Sequence, residues 1–276
     1  MITVSRGMPD SFSGRYPIEH RAGEIERLHL QSAAFARDVE VMLDLIGVRE
    51  GWSCADLGCG PGGLTEPLSR RVGTNGRVVG LDKDAEFLEH ARARATANVE
   101  YRQGDAYASD LPSNSFDLVH MRFLASTAGD PERLIREAIR LCRSGGIVAL
   151  QEPDCATLNC YPPHPAWEKL KSAVVGVFSR SGGDVHLGQR LYHLARQMGL
   201  AEVRYRPVLI GVRSTDPMVD YLPATAESLR VTITRLGLML DGEFPKILAE
   251  TRQHLQKPET VFTLYTVAQV WGRKLH

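Results

Sequence analysis

Two carboxylates and a cluster of glycines are the residues of this chain best spaced to do chemistry. Asp56 stands two residues before the run Gly58-Cys59-Gly60-Pro61-Gly62-Gly63. Asp82 follows about 20 residues later, at the spacing where an acid can accept both hydroxyls of a ribose. A glycine-rich turn lets a ligand approach backbone that side chains would cover, and it permits backbone angles closed to other residues. Gly58, Gly60 and Gly63 satisfy G-x-G-x-x-G, the spacing that docks a pyrophosphate on a helix N-terminus. Asp56 argues against that ligand, because a carboxylate beside the turn repels a second anion. It suits a cationic or zwitterionic ligand carrying an ammonium and a sulfonium. A nicotinamide enzyme would have the same ribose acid, so Asp82 does not discriminate; Asp56 and Asp105 do.

S-adenosylmethionine is the sulfonium ligand that fits, and the surrounding segments follow a known family. Asp56, Gly58, Gly60 and Gly62 fill a pattern Asp-x-Gly-x-Gly-x-Gly that resembles motif I of the class I S-adenosylmethionine-dependent methyltransferases. Val99-Glu100-Tyr101-Arg102-Gln103-Gly104-Asp105-Ala106 is similar to the third motif, whose acid accepts from the adenine amino group. Ser115-Phe116-Asp117-Leu118-Val119-His120 resembles the fourth motif. Ser144-Gly145-Gly146-Ile147-Val148 resembles the approach to the fifth strand, with Ser144 where the family has proline.

Over nearly its full length the chain is similar to a bacterial group of "type 11" small-molecule methyltransferases. That group is itself similar at its core to ubiquinone/menaquinone-type C-methyltransferases. The segments that carry the likeness start at Glu24-Ile25-Glu26-Arg27 and end at Gln269-Val270-Trp271-Gly272. The resemblance implies cofactor contacts from Asp56, Gly58, Gly60, Gly62, Asp82, Lys83, Asp105, Ala106 and His120. It adds Tyr16 and Gln31, on an N-terminal segment that closes over the cofactor in related enzymes.

The elements that must position these residues read as alternating strands and helices. Strands are expected at 53–57, 77–81, 98–102, 116–121 and 146–151, with helices at 63–72, 84–95 and 131–142 between them. Asp130-Pro131 is a strong helix start, with a capping acid and proline at the first position. This alternation predicts an α/β fold, a Rossmann-like doubly wound sheet of about seven strands with the last strand antiparallel. Apolar positions from Ile25 to Ile46 recur at helical spacing, as one long helix or two joined ones. Further on, a helix is expected over 167–178 and another over 188–199, and strands over 203–212 and 261–271. Three appendages to the core follow: residues 1–46, 153–186 and 214–258, leaving 47–152, 187–213 and 259–276 for the core. All three are expected to converge at the carboxyl ends of the strands as a lid that selects a small molecule.

Composition narrows the partners. Lysine plus arginine and aspartate plus glutamate both number 33, so the net charge is zero and no basic footprint for nucleic acid appears. The apolar share of 43% is that of an ordinary globular protein, and no apolar run reaches membrane-spanning length. The N-terminus lacks the apolar core of a signal peptide. Five cysteines form no C-x-x-C pair and have no histidines at zinc spacing, so neither a metal nor a disulfide is expected. These features predict a cytoplasmic protein with a small-molecule partner, without nucleic acid or membrane; a homodimer is compatible with them.

Methyl transfer to a hydroxyl is helped by a base. His120, ending the fourth strand, and His186, after the turn Ser181-Gly182-Gly183-Asp184, are the catalytic candidates, each against a purely structural role. His164, Glu152, Asp154 and Arg122 are weaker candidates. Phe12, Tyr161, Trp167 and Phe178 suit an apolar or aromatic acceptor if they are not simply core. The expectation is a methyltransferase for a small apolar or aromatic metabolite, in secondary metabolism, with O-methylation ahead of C- or N-methylation. The alternatives are a nicotinamide-dependent oxidoreductase and a non-methylating cyclase or binding protein of the same fold.

Overall fold

The computed structural model describes residues 23–275. In chain order the elements are α1 Glu24–Ala34, α2 Ala36–Ile46, β1 Ser53–Leu57, α3 Thr65–Val72, β2 Arg77–Asp82, α4 Ala85–Arg92 and β3 Val99–Gln103. They continue with β4 Phe116–Arg122, α5 Ala125–Ala128, α6 Pro131–Leu141, β5 Cys142–Asp154, β6 Asn159–Tyr161, α7 Pro165–Arg180 and α8 Leu187–Gln197. The last are β7 Ala201–Val208, β8 Gly211–Arg213, α9 Tyr221–Ser228, α10 Arg230–Arg235, α11 Phe244–Leu255, β9 Val261–Thr263 and β10 Thr266–Arg273.

Seven strands form one sheet in the order β3-β2-β1-β4-β5-β10-β7. The first five are parallel, and β10 runs antiparallel to both β5 and β7. This is the doubly wound sheet with an antiparallel last strand that the alternation predicts. The reversal of strand order between β1 and β4 opens a crevice at their carboxyl ends, where ligands bind in open α/β sheets.

Side-chain alternation assigns each strand residue to a face. Cys54, Val78, Leu118, Ile147 and Ala149 pack with Val39, Met42 and Leu43 of α2 and Leu68 of α3. Ala55, Leu57, Val79, Leu81, Val119 and Met121 point the other way, against α6 and α8. A third core lies outside the sheet: Trp167, Leu170 and Val177 of α7 pack with Phe244 and Leu248 of α11, Leu222 of α9 and Phe262 of β9. Burying each such side chain is worth roughly 1.5–3 kcal/mol, so this cap is held by a core of its own.

Two features depart from the sequence reading, and a third decides between two alternatives that it left open. The 203–212 strand is two strands, β7 in the large sheet and β8 in a small antiparallel sheet of order β6-β9-β8. The 261–271 strand divides likewise into β9 and β10, with Leu264 and Tyr265 at the break. Both strands cross from one sheet to the other at the same level, where Leu264 N donates to Ile210 O at 2.9 Å. The N-terminal helical stretch is two helices, α1 and α2, that meet at Phe35, and Phe35 itself is buried against Phe123 and Tyr265.

Candidate active site

The glycine turn leaves the end of β1 and enters α3. Gly58, Gly60 and Gly62 have φ of +68°, +52° and +90°, the left-handed region that glycine occupies without strain. Gly58 N and Cys59 N donate to Leu81 O at 2.7 and 3.0 Å, which ties the turn to β2. A Cβ at Gly58 would lie 2.9 Å from the Leu124 side chain, and one at Gly62 would lie 2.7 Å from Tyr101 Oη. Asp82, at the end of β2, accepts from Gly60 N at 2.8 Å with Oδ2 and from Asp84 N at 3.0 Å with Oδ1. Burial pushes its carboxyl above the usual range, and those two N–H groups work against the shift. Asp105 is exposed and braces its own loop by accepting from Tyr107 N at 2.9 Å.

Gly58, Gly60, Asp82 and Asp105 line one end of a cavity of about 620 Å³. Gln31, Asp56, Gly58, Gly60, Asp82, Lys83, Asp105 and Ala106 are all brought to it. The other end is walled by Phe123, Leu158, Val174 and Phe178, with Tyr221 and Tyr265 among them. Acids therefore cluster at the end beside the turn, and apolar and aromatic groups at the end beneath the cap. Arg122 stands between them and donates to Ser32 Oγ at 2.8 Å. Phe123 takes φ +56°, rare for a residue with a Cβ, and such strain concentrates at functional sites.

Several expected residues lie elsewhere. Gly62 is behind the turn, against Tyr101 and Thr65. Tyr16 and Phe12 lie outside the described residues. His120 is fully buried and does not line the cavity. Its Nδ1 is 2.8 Å from Asp56 Oδ1 and its Nε2 is 2.9 Å from Gln151 Nε2. Gln151 Oε1 accepts from Gln269 Nε2 at 2.9 Å, and Gln269 Oε1 accepts from Arg206 at 2.8 Å. An arginine can only donate. It therefore orients both glutamines, and the amide of Gln151 donates to His120 Nε2. The imidazole is neutral with its proton on Nδ1, donated to Asp56. Burial pushes its pKa down, against the opposing pull of Asp56. With both nitrogens engaged, His120 has no lone pair to offer a substrate, so the geometry withdraws it as a base and leaves it as a brace for Asp56.

His186 is exposed and outside the cavity wall, with Nδ1 3.0 Å from Asp154 Oδ1. It too is withdrawn from the reacting centre. Asp154 also caps the turn that follows β5, accepting from Ala156 N. His164 caps α7 and stacks on His254, with ring centroids 4.5 Å apart. Glu152 is buried beneath the start of α5 and accepts from Ala125 N and Ser126 N at 2.9 and 3.1 Å. Burial pushes its carboxyl up to about 7. Tyr161 is exposed and Trp167 belongs to the cap core, so of the three aromatics among the described residues only Phe178 reaches the cavity.

A family model described as "Methyltransferase domain" matches residues 54–146, from β1 through the start of the buried part of β5. Residues 54–146 carry a methyltransferase domain. An uncharacterized 37.1 kDa protein in transposon TN4556 of Streptomyces fradiae is 33% identical over 205 residues, covering 67% of this chain and 58% of that protein. Demethylmenaquinone methyltransferase of Lactococcus lactis is 35% identical over 130 residues, 46% of this chain and 50% of that enzyme. The chain thus spans about half the length of the curated relatives it matches. Among solved structures, the YcgJ protein of Bacillus subtilis superposes with a TM-score of 0.57 at 18% identity, over 87% of this chain and 99% of that one. Phosphoethanolamine N-methyltransferase 2 of Haemonchus contortus, solved with S-adenosylhomocysteine, gives 0.54 at 17% identity, over 87% of this chain and 53% of that one.

The methyltransferase domain accounts for the glycine turn, Asp82, Asp105 and Arg122. Residues outside it supply much of the wall; of these, Arg27, Tyr221 and Tyr265 are absent from the site residues expected from the sequence. Arg27 sits one helical turn before Gln31 and gave a signal as part of a shared segment. Tyr265 gave none, because it is hidden in the apolar run from Val261 to Trp271.

Proposed function

We propose that this chain is an S-adenosylmethionine-dependent methyltransferase acting on a small apolar or aromatic metabolite. One observation carries the reading: a single cavity joins an acid-edged glycine turn to an apolar chamber roofed by the cap. The residues present fit the cofactor. Backbone at Gly58 and Gly60 lies open to the cavity with no side chain in the way, and each Asp82 oxygen keeps a lone pair for a ribose hydroxyl. Asp105 and Ala106 would face the adenine, and Gln31 would close over the other side. Bound there, the cofactor supplies an electrophilic methyl carbon on a positively charged sulfur.

The chain's own part is positioning. Asp56, held by the His120 N–H, places fixed negative charge beside the turn, where it favours a cationic ligand. The cap walls exclude water and align the acceptor, and alignment alone can supply roughly 7–11 kcal/mol of a barrier. No histidine lines the cavity among the described residues. Cys155, which does, has its thiol pushed up to about 12 by burial. The reading therefore favours an acceptor already nucleophilic at neutral pH, which a phenolate oxygen, a carbanionic carbon or an amine can each be. Residues 23–46, 153–186 and 214–258 act in it as the lid, and residues 1–22, expected to belong to it, lie outside the described residues. Tailoring of a secondary metabolite in a reducing cytoplasm, where the five cysteines stay unpaired, suits the same picture.

Calorimetric titration with S-adenosylhomocysteine, with NADH as the control, tests this. Micromolar binding of the first and none of the second is expected. Binding of NADH alone would transfer the assignment to a nicotinamide-dependent oxidoreductase.

A further inference from the structure

One hydrogen-bonded cluster borders the apolar chamber, and its two phenols have no part in the methyl transfer derived above. Arg27 and Gln31 of α1, Tyr221 of α9 and Tyr265 at the β9–β10 break are all buried, and all line the cavity. Arg27 Nη1 donates to Tyr221 Oη at 3.1 Å. Gln31 Nε2 lies 2.6 Å from Tyr221 Oη and 2.7 Å from Tyr265 Oη, and the two phenol oxygens are 3.0 Å apart.

Valence sets the direction of each bond. An amide nitrogen has two protons, and a phenol oxygen has one proton and two lone pairs. Tyr221 accepts from Arg27 and from Gln31, which uses both lone pairs, so its own proton goes to Tyr265. Tyr265 accepts from Gln31 and from Tyr221. Its remaining proton has no acceptor among the described residues. Turning the Gln31 amide round would send both phenol protons to its oxygen and leave the two phenols facing each other with lone pairs only. The first arrangement alone makes all four contacts hydrogen bonds.

A buried donor without a partner is costly, and this one stands in the wall of a chamber. We propose that Tyr265 determines specificity by donating its phenolic proton to a carbonyl or phenolate oxygen on the methyl-accepting substrate. That substrate is then an apolar or aromatic molecule bearing an oxygen acceptor, and the bound oxygen is its anchor. The inference rests on the methyltransferase reading. Neighbouring rings fix the orientation of the phenol, since Phe123 meets it edge-on at 5.7 Å and Phe35 lies against it at 6.1 Å. Burial and the Tyr221 hydroxyl hold the phenol well above its usual pKa, so it remains a donor.

The test uses the full chain saturated with S-adenosylhomocysteine. It is titrated with 1-acetonaphthone carrying a ¹³C carbonyl, and with 1-ethylnaphthalene as the matched hydrocarbon. The wild type should bind the ketone more tightly, and its bound carbonyl band should move to lower wavenumber. Tyr265→Phe should lose roughly three- to tenfold in ketone affinity, the range for one neutral hydrogen bond. It should keep its affinity for the hydrocarbon and for S-adenosylhomocysteine, and its carbonyl band should return to the position seen in an apolar solvent. Equal wild-type affinity for the two probes, an unshifted wild-type band, or unchanged ketone binding by the variant would each overturn the proposal. The wild-type band decides the matter even if the variant does not fold. Failure of S-adenosylhomocysteine to bind the wild type would instead overturn the methyltransferase reading, so the two failures are told apart.

Discussion

Arg206 and His120 do not touch, yet the guanidinium fixes which ring nitrogen of the histidine carries the proton. Gln269 and Gln151 relay its direction through the sheet, from β7 across β10 and β5 to β4. Asp38 holds Arg206 in turn, with a contact of 2.5 Å. A charge on the second helix thereby reaches Asp56 beside the cofactor turn.

His120→Ala should leave the Asp56 carboxylate and the Gln151 amide buried without their partner. Leaving such groups unsatisfied costs about 2–4 kcal/mol in total. Urea denaturation should show that loss, together with weaker S-adenosylhomocysteine binding. A variant as stable as the wild type would mean the relay is not what orders this region.

His186→Gln should leave both stability and turnover close to wild type, since the ring is exposed and its partner Asp154 keeps its other donors. A large drop in turnover, with the Kd for S-adenosylhomocysteine unchanged, would return His186 to the reacting centre.

Asp82→Ala removes the acceptor expected to hold the ribose. The affinity for S-adenosylhomocysteine should fall by about 1.5–3 kcal/mol, the value of hydrogen bonds to a charged group. Calorimetry reads this directly, and wild-type affinity in the variant would remove Asp82 from the site.

Gly58→Ala meets two obstacles: the left-handed backbone, at roughly 1–2 kcal/mol, and the Leu124 side chain at 2.9 Å. Adding Leu124→Ala should relieve the second and leave the first. Thermal melts of the single and double variants therefore should differ, with neither reaching the wild type. A single variant that melts like the wild type would show that the turn tolerates a side chain.

Glu152 gives a pH dependence whose sign is unusual for a carboxylate. Its folded pKa of about 7 lies above the ordinary value of 4.5, so the native state holds the proton more tightly than the unfolded chain does. Its contribution is full below about pH 4.5 and declines as pH rises to about 7, by roughly 2–4 kcal/mol. Urea midpoints at pH 5 and pH 8 should fall farther apart in the wild type than in Glu152→Gln. Parallel behaviour of the two proteins would exclude this source.

The core strands were legible because their chemistry is local. Each is a short apolar run ending in a turn residue, and Ser53–Leu57 falls at the expected bounds. The acids of the turn were legible for the same reason, since their spacing along the chain is their spacing around the ligand. The cap was not. Whether Val203–Val212 forms one strand or two depends on a partner, Phe262, about fifty residues away, with which Val212 pairs in the small sheet. His120 misled because a histidine at the end of a strand looks the same whether it faces a cavity or a glutamine. Tyr265 stayed hidden because its pattern is that of a continuous strand, and only the crossing into the second sheet turns it toward the chamber.

That crossing also sets an order of assembly. Val208 pairs with Val267 on β10, yet the chain between them must first travel out through β8, three helices and β9. During synthesis β7 emerges long before the strand that will cover it, leaving its backbone groups open to any extended neighbour. The place between β5 and β7 cannot be filled until the cap has brought the chain back, so completion of the sheet waits on the roof above it.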